Sequence, residues 1–368
     1  MSPTVLTRRE LNRALLARQL LLQRATLDPL AAIEHLVAVQ AQEAEPPHLG
    51  LWTRLTAYHP DEVAALLADR SVVRAPFVRA APHLVSARDL LQLAVAVQPA
   101  LERATRGLFG EVWQRVDVPD LVAVARSALE ADVLTDAELG AVLAEHAPGE
   151  DPAALTWAVA TALPLVHLPP AGTWDADDEP RLATAADWLG APPATASHEA
   201  RLLWRYLAAY GPAGVVDMQA FTSMTRQQAV LPELRPHLEV LHDEAGLELF
   251  DVPGAPRPAA DVPAPPRLLP AYDNILMAHD DRSRIIPPQR RPRVFRAGAQ
   301  VRPTLLVDGF VAGTWRIVRT PERARVVLEP FEPLSEEARV GLVAEAERTL
   351  ALLARAGEAT DVEVADPA

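Results

Sequence analysis

The sequence contains neither cysteine nor lysine, and these two absences exclude several kinds of chemistry. Without cysteine there can be no disulfide bond, thiolate zinc site or cysteine nucleophile, which is typical of proteins of the reducing cytoplasm. Without lysine, no side-chain amine can form a Schiff base with a substrate. The first residues lack the apolar core of a signal peptide, and no apolar run approaches the length of a membrane span. We therefore expect a cytoplasmic protein that does not enter a membrane.

The composition is that of a globular protein with an acidic surface. The chain has 368 residues, of which 49% are hydrophobic, so it can bury a sizeable core and is long enough for two or three domains. Its net charge of −14 argues against a protein that coats nucleic acid, although it allows a local grip on one segment.

Residues 282–296, which we call the arginine segment, contain no acidic residue. The arginines of this segment are Arg282, Arg284, Arg290, Arg291, Arg293 and Arg296. A guanidinium group matches two phosphate oxygens at once, so a dense cluster in an acidic chain indicates contact with DNA or RNA. We expect this segment to grip a duplex, in the form of a hairpin. The alternative is a solvated loop whose positive charges are balanced by acidic residues elsewhere on the surface.

The periodicity predicts three helices followed by short strands, and this order occurs three times. Such an order is typical of winged-helix motifs, which present a helix to the major groove of DNA but also serve in protein interactions. The predicted helices cover residues 7–20, 28–40 and 61–70, then 120–130, 135–146 and 151–163, then 198–210, 213–222 and 226–234. Capping-box patterns, Thr7 with Glu10 and Thr135 with Glu138, mark the starts of two of them. The predicted strands after each group are 72–73, 77–78 and 83–85, then 165–168 and 181–184, then 238–242 and 247–252.

A different pattern follows the third group. Six prolines in residues 253–266 indicate an extended linker, and three strands at residues 304–331 include a two-residue turn signal at Asp308-Gly309. A helix is predicted at 335–355, and the acidic tail from Gly357 is expected to be loose. We predict a mainly α fold with small β elements: three tandem winged-helix motifs and a C-terminal antiparallel β-barrel-like module. The predicted boundaries are 1–96, 97–192 and 193–252 for the motifs, 253–267 for the linker and 268–368 for the β module.

Few motifs of known chemistry are present. There is no phosphate loop, nucleophile elbow or dinucleotide fingerprint. The run His279-Asp280-Asp281 could touch a cation, but such a run more often caps a helix or pairs with Arg282 and Arg284, so we predict no metal site. The sequence Gln40-Ala41-Gln42 lies just before Pro46-Pro47, where a helix must stop. If the backbone is extended there, both carboxamides share a face; if it is helical, they diverge and form a polar helix end.

Five segments, taken in order, resemble the winged-helix DNA glycosylases of the AlkZ and YcaQ type, bacterial enzymes that remove bulky alkylated bases and unhook interstrand crosslinks. The matching segments are residues 37–42 (VAVQAQ), 79–85 (RAAPHLV), 210–213 (YGPA), 268–284, and 307–309 together with 313–315. The resemblance covers nearly the whole chain. It implies tandem winged helices and a C-terminal β-barrel around a concave DNA surface.

The resemblance also implies an active site. In this family a Gln-x-Gln or Gln-x-Asp motif is catalytic, which assigns Gln40 and Gln42, and glutamine in the second place resembles the crosslink-specialised branch associated with antibiotic self-resistance. A carboxamide cannot act as a general base near neutral pH, but it can place a water molecule and face a developing oxocarbenium ion. This suffices only for a good leaving group such as cationic N7-alkylguanine. We therefore expect a monofunctional glycosylase that acts on double-stranded DNA as a monomer and needs no cofactor.

Several residues in the matching segments remain open to two interpretations. Arg79 and His83 could contact phosphate, or they could be an ion-paired arginine and a buried histidine. Asp273, Asn274 and Trp52 could support the site, although packing is the favoured role for Trp52. The rival to an enzyme is a non-catalytic winged-helix regulator or drug-sequestering protein. A regulator is usually a symmetric dimer, and no clear dimer element is present in the sequence.

Overall fold

The computed structural model describes residues 4–177, 179–225 and 227–367. Arg226, where we predicted that a helix starts, lies outside the described residues. Among the described helices, none is long and apolar enough to span a bilayer.

The described part of the chain is mainly helical. Its helices are α1 (Arg8–Arg18), α2 (Pro29–His35), α3 (Glu45–Arg54), α4 (Pro60–Ala68), α5 (Ala87–Arg115), α6 (Val118–Ala131), α7 (Asp136–His146), α8 (Pro152–Ala162), α9 (Ala185–Leu189), α10 (Glu199–Tyr210), α11 (Val215–Thr222), α12 (Gln227–Leu234), α13 (Arg291–Val294) and α14 (Glu336–Leu353). Its strands are β1 (Val5–Leu6), β2 (Val39–Gln40), β3 (Val72–Pro76), β4 (Pro82–Ser86), β5 (Leu134–Thr135), β6 (Leu165–His167), β7 (Arg181–Thr184), β8 (Glu239–Asp243), β9 (Glu248–Asp251), β10 (Arg267–Leu269), β11 (Thr304–Val307), β12 (Phe310–Thr320), β13 (Arg323–Pro330) and β14 (Ala359–Val364).

The strands of the first two predicted motifs form one six-stranded sheet, in the order β2-β4-β3-β6-β7-β5. The two halves of this sheet meet where Arg74 of β3 pairs with His167 of β6. The predicted boundary between residues 96 and 97 falls inside α5, which continues for 29 residues. No loop therefore separates the two segments at that point, and the number of winged-helix motifs remains a prediction.

The region before Gln40 differs from the predicted long helix. α2 ends at His35, and Val37 has a φ of 73°, which belongs to the left-handed region and stops the helix. Pro46 and Pro47 were predicted to end a helix, but they lie in the first turn of α3. A proline is tolerated there because the first backbone N–H groups of a helix have no partner inside it.

Helix α1 begins as predicted and connects distant parts of the chain. Thr7 and Glu10 form its capping box, which confirms the sequence signal. The buried Arg18 forms a two-bond ion pair with the buried Asp251, at 2.6 and 2.9 Å. Arg13, which is also buried, contacts the carboxylate of Asp308. The side chains of α1 therefore tie the start of the described chain to residues that lie more than 200 positions later.

The proline-rich segment at 253–266 has no regular helix or strand, but it is attached to α1 at three points. Guanidinium groups of α1 donate hydrogen bonds to the carbonyl oxygens of Pro256, Ala260 and Val262. A proline lacks a backbone N–H but keeps its carbonyl, so an extended proline-rich chain suits a row of arginine donors. This segment is held against the fold rather than free.

The C-terminal module is an open five-stranded sheet, β10-β11-β12-β13-β14, covered by α14. The predicted turn Asp308-Gly309 is confirmed, with both residues at positive φ between Val307 and Phe310. Within the described residues the sheet does not close into a barrel, and its last pair, β13 and β14, is parallel.

The tail after Gly357 was predicted to be loose, and this is wrong because it forms β14. Its acids pair with arginines of the neighbouring strand: Arg325 bonds to Asp361 at 2.7 Å and to Glu363 at 2.6 Å. The acidic character that suggested disorder instead supplies the partners of a basic strand.

Candidate active site

Gln40 lies on a short strand at the edge of the six-stranded sheet. β2 pairs antiparallel with β4, which places Gln40 opposite His83, and the N–H of Ala41 donates to the carbonyl of Pro82 at 2.8 Å. The backbone is therefore extended at Gln40, which decides between the two conformations left open by the sequence. Only 8% of Gln40 is exposed, so its carboxamide lies within the protein at the base of a cleft.

Gln42 follows two residues later, where the strand has ended and a bend leads to α3. Its side chain is exposed and forms no hydrogen bond with the described residues. The two glutamines are therefore close along the chain but differ in restraint. Gln40 is buried and fixed, whereas Gln42 is free to meet a substrate.

Arg79 fixes the orientation of the Gln40 carboxamide. Its Nη2 donates to Gln40 Oε1 at 2.8 Å and to Asn274 Oδ1 at 2.5 Å, and its guanidinium lies 5.3 Å from the ring centre of Phe221. Because arginine can only donate, the oxygen of Gln40 must face Arg79. The Nε2 group, which has no hydrogen-bond partner among the described residues, then points away from the guanidinium.

No carboxylate among the described residues lies within 4.0 Å of Arg79, so two neutral amide oxygens are its main partners. Burial, and to a smaller extent the positive charge of Arg282, lowers the pKa of Arg79 to about 10, against an opposing effect of Tyr210. The group is still protonated at neutral pH. Arg79 is partly buried, and such a cation without an acid is costly, so an anionic ligand nearby would offset that cost.

The buried side chain of His83 is structural. Its Nδ1 donates to the carbonyl of Ala81 at 2.7 Å, which leaves Nε2 as the acceptor facing Arg79 at 3.4 Å. Burial, and then the charge of Arg79, lower the pKa of His83 to about 3, so the ring is neutral at physiological pH. The ring is fully buried, which favours the second of the two interpretations that the sequence left open, a buried histidine. Arg79 likewise lies behind Gln40 rather than on an open surface.

Asp273 and Asn274 support the same site from the C-terminal module. Asp273 forms a buried two-bond ion pair with Arg54, at 2.8 Å for each contact, and also caps a short helical turn by accepting from the N–H of Ile275. Asn274 donates to the carbonyl of Ala38 at 2.9 Å while accepting from Arg79. These contacts join the C-terminal module to the strand that carries Gln40.

A cavity of about 20 Å³ lies beside Gln40, which is room for one water molecule. Polar side chains of its lining are Gln19, Gln40, Arg54, Tyr210, Tyr272, Asp273 and Asn274. Trp52 is not among the lining residues. It lies on α3 about 200° around the helix from Gly50, which does line the cavity, and Arg348 stacks 4.0 Å from the Trp52 ring. The packing interpretation of Trp52 is thus the one that the structure shows.

The arginine segment forms short helical turns rather than the expected hairpin. Two of its members are used inside the protein. Arg284 is buried, donates to the carbonyl of Pro212 at 2.7 Å and faces Asp217 at 3.7 Å. Arg290 donates to the carbonyl of Val311 and pairs with Glu332, each at 2.8 Å. Arg284 is thus turned into the protein, and Arg290 has only limited exposure, so DNA contact by this segment stays a prediction that the other four arginines carry.

The other four arginines of the segment have no carboxylate within 4.0 Å among the described residues. Arg282 and Arg291 flank the ring of Phe295, at 4.5 and 5.9 Å, and Arg293 lies 3.9 Å from the ring centre of Phe331. Arg296 is exposed. Aromatic rings thus hold three of the four guanidinium groups without neutralising them. Since the charge of Arg282 lowers the pKa of Arg79, this basic surface extends toward Gln40.

Sequence reasoning missed two residues that build the site. Arg54 neutralises Asp273, and Phe221 supports the guanidinium of Arg79. No local pattern marks either of them, because their partners lie 219 and 142 positions away in the chain.

The comparisons with known proteins show which family the chain belongs to. A family model described as DNA glycosylase AlkZ-like matches residues 33–352. The chain belongs to the AlkZ-like DNA glycosylase family. An AlkZ-like relative, the interstrand DNA cross-link repair glycosylase of Streptomyces sahachiroi, is 27% identical over 336 residues, covering 85% of this chain and 88% of the relative. The solved structure of Streptomyces sahachiroi DNA glycosylase AlkZ has a TM-score of 0.77 at 20% identity, covering 98% of this chain and all of that one. The resemblance that the sequence motifs indicated is confirmed at the level of family and fold.

Proposed function

We propose that this AlkZ-like protein is a monofunctional DNA glycosylase that hydrolyses the N-glycosidic bond of bulky, cationic N7-alkylguanine lesions and unhooks interstrand crosslinks built from them. The observation that carries the proposal is the locked carboxamide of Gln40, held by Arg79 at the base of a water-sized cavity. A neutral amide cannot take a proton from water, so the leaving group must already be activated. A guanine alkylated at N7 is cationic and departs as a neutral base.

In this proposal the two glutamines have different roles. Gln40 directs its Nε2–H groups toward the cleft, since its oxygen is held by Arg79. It can therefore donate to an acceptor on the lesion or its sugar. Gln42 is unrestrained, and its carbonyl oxygen is available to accept a hydrogen bond from the attacking water and to face the sugar cation.

The acids near the site fit this division. Asp273 is the one carboxylate that lines the cavity within the described chain, and its ion pair with Arg54 occupies both of its oxygens. Glu43 is exposed and does not line the cavity, although it lies beside Tyr272, which does. Burial raises the pKa of the Tyr272 phenol, and the negative charge of Glu43 raises it further. Neither acid is placed to protonate a neutral base, which argues against uracil or 8-oxoguanine as substrates.

The DNA-contacting surface in this proposal comprises Arg282, Arg291, Arg293 and Arg296. Their charges are not neutralised by described carboxylates, and stacking on Phe295 and Phe331 keeps three of them extended. Phosphate groups of a duplex would supply the missing anions, including one near the buried charge of Arg79. Removal of a bulky adduct that lies in a groove need not involve full extrusion of the base.

The absence of lysine leaves no side-chain amine to cleave the strand after the base has gone. Hydrolysis with water as nucleophile and a pre-activated leaving group needs no cofactor. A protein with these properties could protect a cell that produces a DNA-alkylating natural product, and we propose such self-resistance as its role. Neighbouring genes for the synthesis of an alkylating compound would support this assignment.

The test is incubation with a duplex that carries one N7-alkylguanine, followed by alkali and separation of the strands. We expect alkali-dependent breaks at the lesion above spontaneous depurination, and none without alkali. Gln40→Ala combined with Gln42→Ala should abolish the excess, whereas Gln114→Ala, an exposed glutamine on α5, should not. Tight binding of the duplex without any excess breaks would favour a non-catalytic regulator or drug-sequestering protein.

A further inference from the structure

Three arginines lie close enough to a single buried glutamate to be affected by its charge, on the side of α3 away from the cavity. The guanidinium of Arg24 contacts Glu345, whose side chain is 7% exposed. The side chains of Arg267, on β10, and Arg348, on α14, carry the other two positive charges. We call these four residues the Glu345 cluster. Its members come from the loop after α1, from β10 and from α14, so the fold itself assembles them.

The charges in this cluster do not balance. Within the described residues, Glu345 is the one carboxylate within 4.0 Å of any of the three guanidinium groups. Three positive charges and one negative charge leave an excess of two. Arg267 is only 6% exposed, so part of this excess lies in the protein interior. Burial, followed by the charge of Arg24, lowers the pKa values of both Arg267 and Arg348 to about 10, yet both remain protonated at neutral pH.

Hydrogen-bond donors in the cluster are also left without acceptors. Three N–H groups at the cluster are buried and have no hydrogen-bond partner among the described residues: the Nε groups of Arg24 and Arg267 and the indole Nε1 of Trp52, which lies under Arg348. Within the same part of the chain, the guanidinium of Arg267 donates only to the carbonyl of the preceding residue. Buried N–H groups in folded proteins are nearly always paired, and an unpaired one points to a bound water molecule or ion. All three orphaned groups are donors, so the missing partner is an acceptor.

The cluster is separate from the candidate active site. Gly50 and Arg54 of α3 line the cavity, whereas the Trp52 ring, about 200° around the helix from Gly50, lies under the guanidinium of Arg348. Each terminal nitrogen of Arg348 donates one hydrogen bond to a carbonyl at the end of α3, that of Trp52 at 2.9 Å and that of Leu55 at 3.0 Å, and keeps a second N–H for another acceptor. The width of a helix, about 10 Å, therefore separates the two sites. Arg24 and Arg348 are partly exposed, which leaves the cluster open to solvent on one side.

We propose that the Glu345 cluster is a binding site for a tetrahedral oxyanion of the phosphate type, held by Arg24, Arg267 and Arg348. Guanidinium groups bind such oxygens with paired, charge-assisted hydrogen bonds, and a bound anion would both balance the charge and accept from the orphaned donors. Free phosphate and a phosphodiester of the DNA backbone share this chemistry. Glu345 holds Arg24 in place when the anion is absent and competes with the anion for it.

The first experiment measures binding of inorganic phosphate to the full chain by calorimetry, with chloride keeping the ionic strength constant. We expect saturable binding that Arg267→Met and Arg24→Met each weaken by about tenfold or more, which matches the loss of a charge-assisted hydrogen bond. Arg339→Met, an exposed arginine on the same helix as Arg348, serves as the matched control and should bind like the wild type.

Glu345→Gln is a second variant that separates an effect on phosphate binding from an effect on folding. It removes the competing carboxylate and should tighten phosphate binding, a gain that a damaged fold cannot produce. The second arm measures the affinity for an undamaged duplex as a function of salt. A change in slope of about one in Arg267→Met would identify a DNA phosphodiester as the ligand. An unchanged slope together with phosphate binding would identify a free anion. The proposal is overturned if phosphate binds equally to all variants, or to none of them, while the slope is unchanged.

Discussion

Replacing Arg79 with methionine tests whether this guanidinium positions the catalytic amide. In the structure, Nη2 of Arg79 donates to Gln40 Oε1 at 2.8 Å and to Asn274 Oδ1 at 2.5 Å. Methionine keeps an unbranched side chain beside Phe221 but removes both donors and the charge. Gln40 is then free to rotate, and its Nε2 group no longer faces the cleft in a fixed direction.

The expected magnitude follows from the bond that is lost. A hydrogen bond to a charged group contributes about 1.5–3 kcal/mol, and each 1.36 kcal/mol of transition-state stabilisation corresponds to about tenfold in rate. We expect the rate of base release to fall about 10- to 100-fold. The free energy of unfolding should change by less than about 2 kcal/mol, because the two amide oxygens lose a donor while a buried, uncompensated charge also disappears.

The assay is single-turnover base release with enzyme in excess over a duplex that carries N7-alkylguanine. At saturating enzyme, differences in DNA affinity no longer affect the rate. Arg282→Met is the matched control, since it removes a charge close enough to affect Arg79 but makes no contact with Gln40. We expect that variant to need more enzyme yet to reach the wild-type rate. A wild-type rate for Arg79→Met at saturation would refute the positioning role.

Four further predictions concern the arginine segment, Asp273, the buried histidines and the pH dependence of base release. Arg291→Ala with Arg293→Ala should lower the slope of log affinity against log salt by about two, which anisotropy titrations with duplex DNA measure. Arg284→Met should leave that slope unchanged and instead lower the free energy of unfolding in urea. Equal slopes for all variants would contradict the proposed DNA surface. Asp273→Asn should cost about 3–5 kcal/mol in urea unfolding, because it leaves the buried Arg54 without its carboxylate, and a loss below about 1 kcal/mol would show that the pair is not structural. Burial lowers the pKa values of four histidines: those of His83 and His167 to about 3, that of His48 to about 4, and that of His279 well below its usual range. The unfolded chain therefore takes up these protons first as the pH falls below about 6.5. The stability that they contribute is complete above that pH and is lost toward the folded-state values, at about 1.4 kcal/mol per pH unit for each histidine. His167→Gln should therefore reduce this histidine contribution by about a quarter when urea unfolding is compared at pH 6 and pH 5. Base release itself should be independent of pH between about 6.5 and 8, because the amides of Gln40 and Gln42 do not titrate; a fall that Glu43→Gln removes would identify that acid as a general base instead.

Local signals in the sequence predicted several elements correctly, and each rests on a contact between near neighbours. The capping boxes at Thr7 and Thr135 and the Asp308-Gly309 turn are examples, since each is decided within four residues. The polar motif at Gln40 was found through its resemblance to a family. Its extended conformation was not predictable, because it depends on pairing with β4 more than 40 residues later.

The sequence was least informative where distant residues decide the outcome. His83 looked available to phosphate, but the sheet and Phe77 bury it fully. Arg284 belongs to a dense basic run, yet its guanidinium is drawn into the protein by Asp217 and the carbonyl of Pro212. The acidic tail forms a strand because Arg325 neutralises it. In each case the charge of a residue was visible in the sequence, but its partner was not.

The arginines of α1 have a consequence for the folding of this protein during its synthesis on the ribosome. The partner of Arg18 is Asp251, 233 residues later, and the Asp308 carboxylate that Arg13 contacts is 295 residues later. At about 5–20 residues per second, translation needs on the order of ten to sixty seconds before these partners emerge. During that interval the buried side chains of α1 lack the partners that cover them in the folded protein. In the folded protein, ion pairs connect the first third of the chain to the last third. A single backbone cut within residues 253–266 should therefore leave two fragments that remain associated under native conditions.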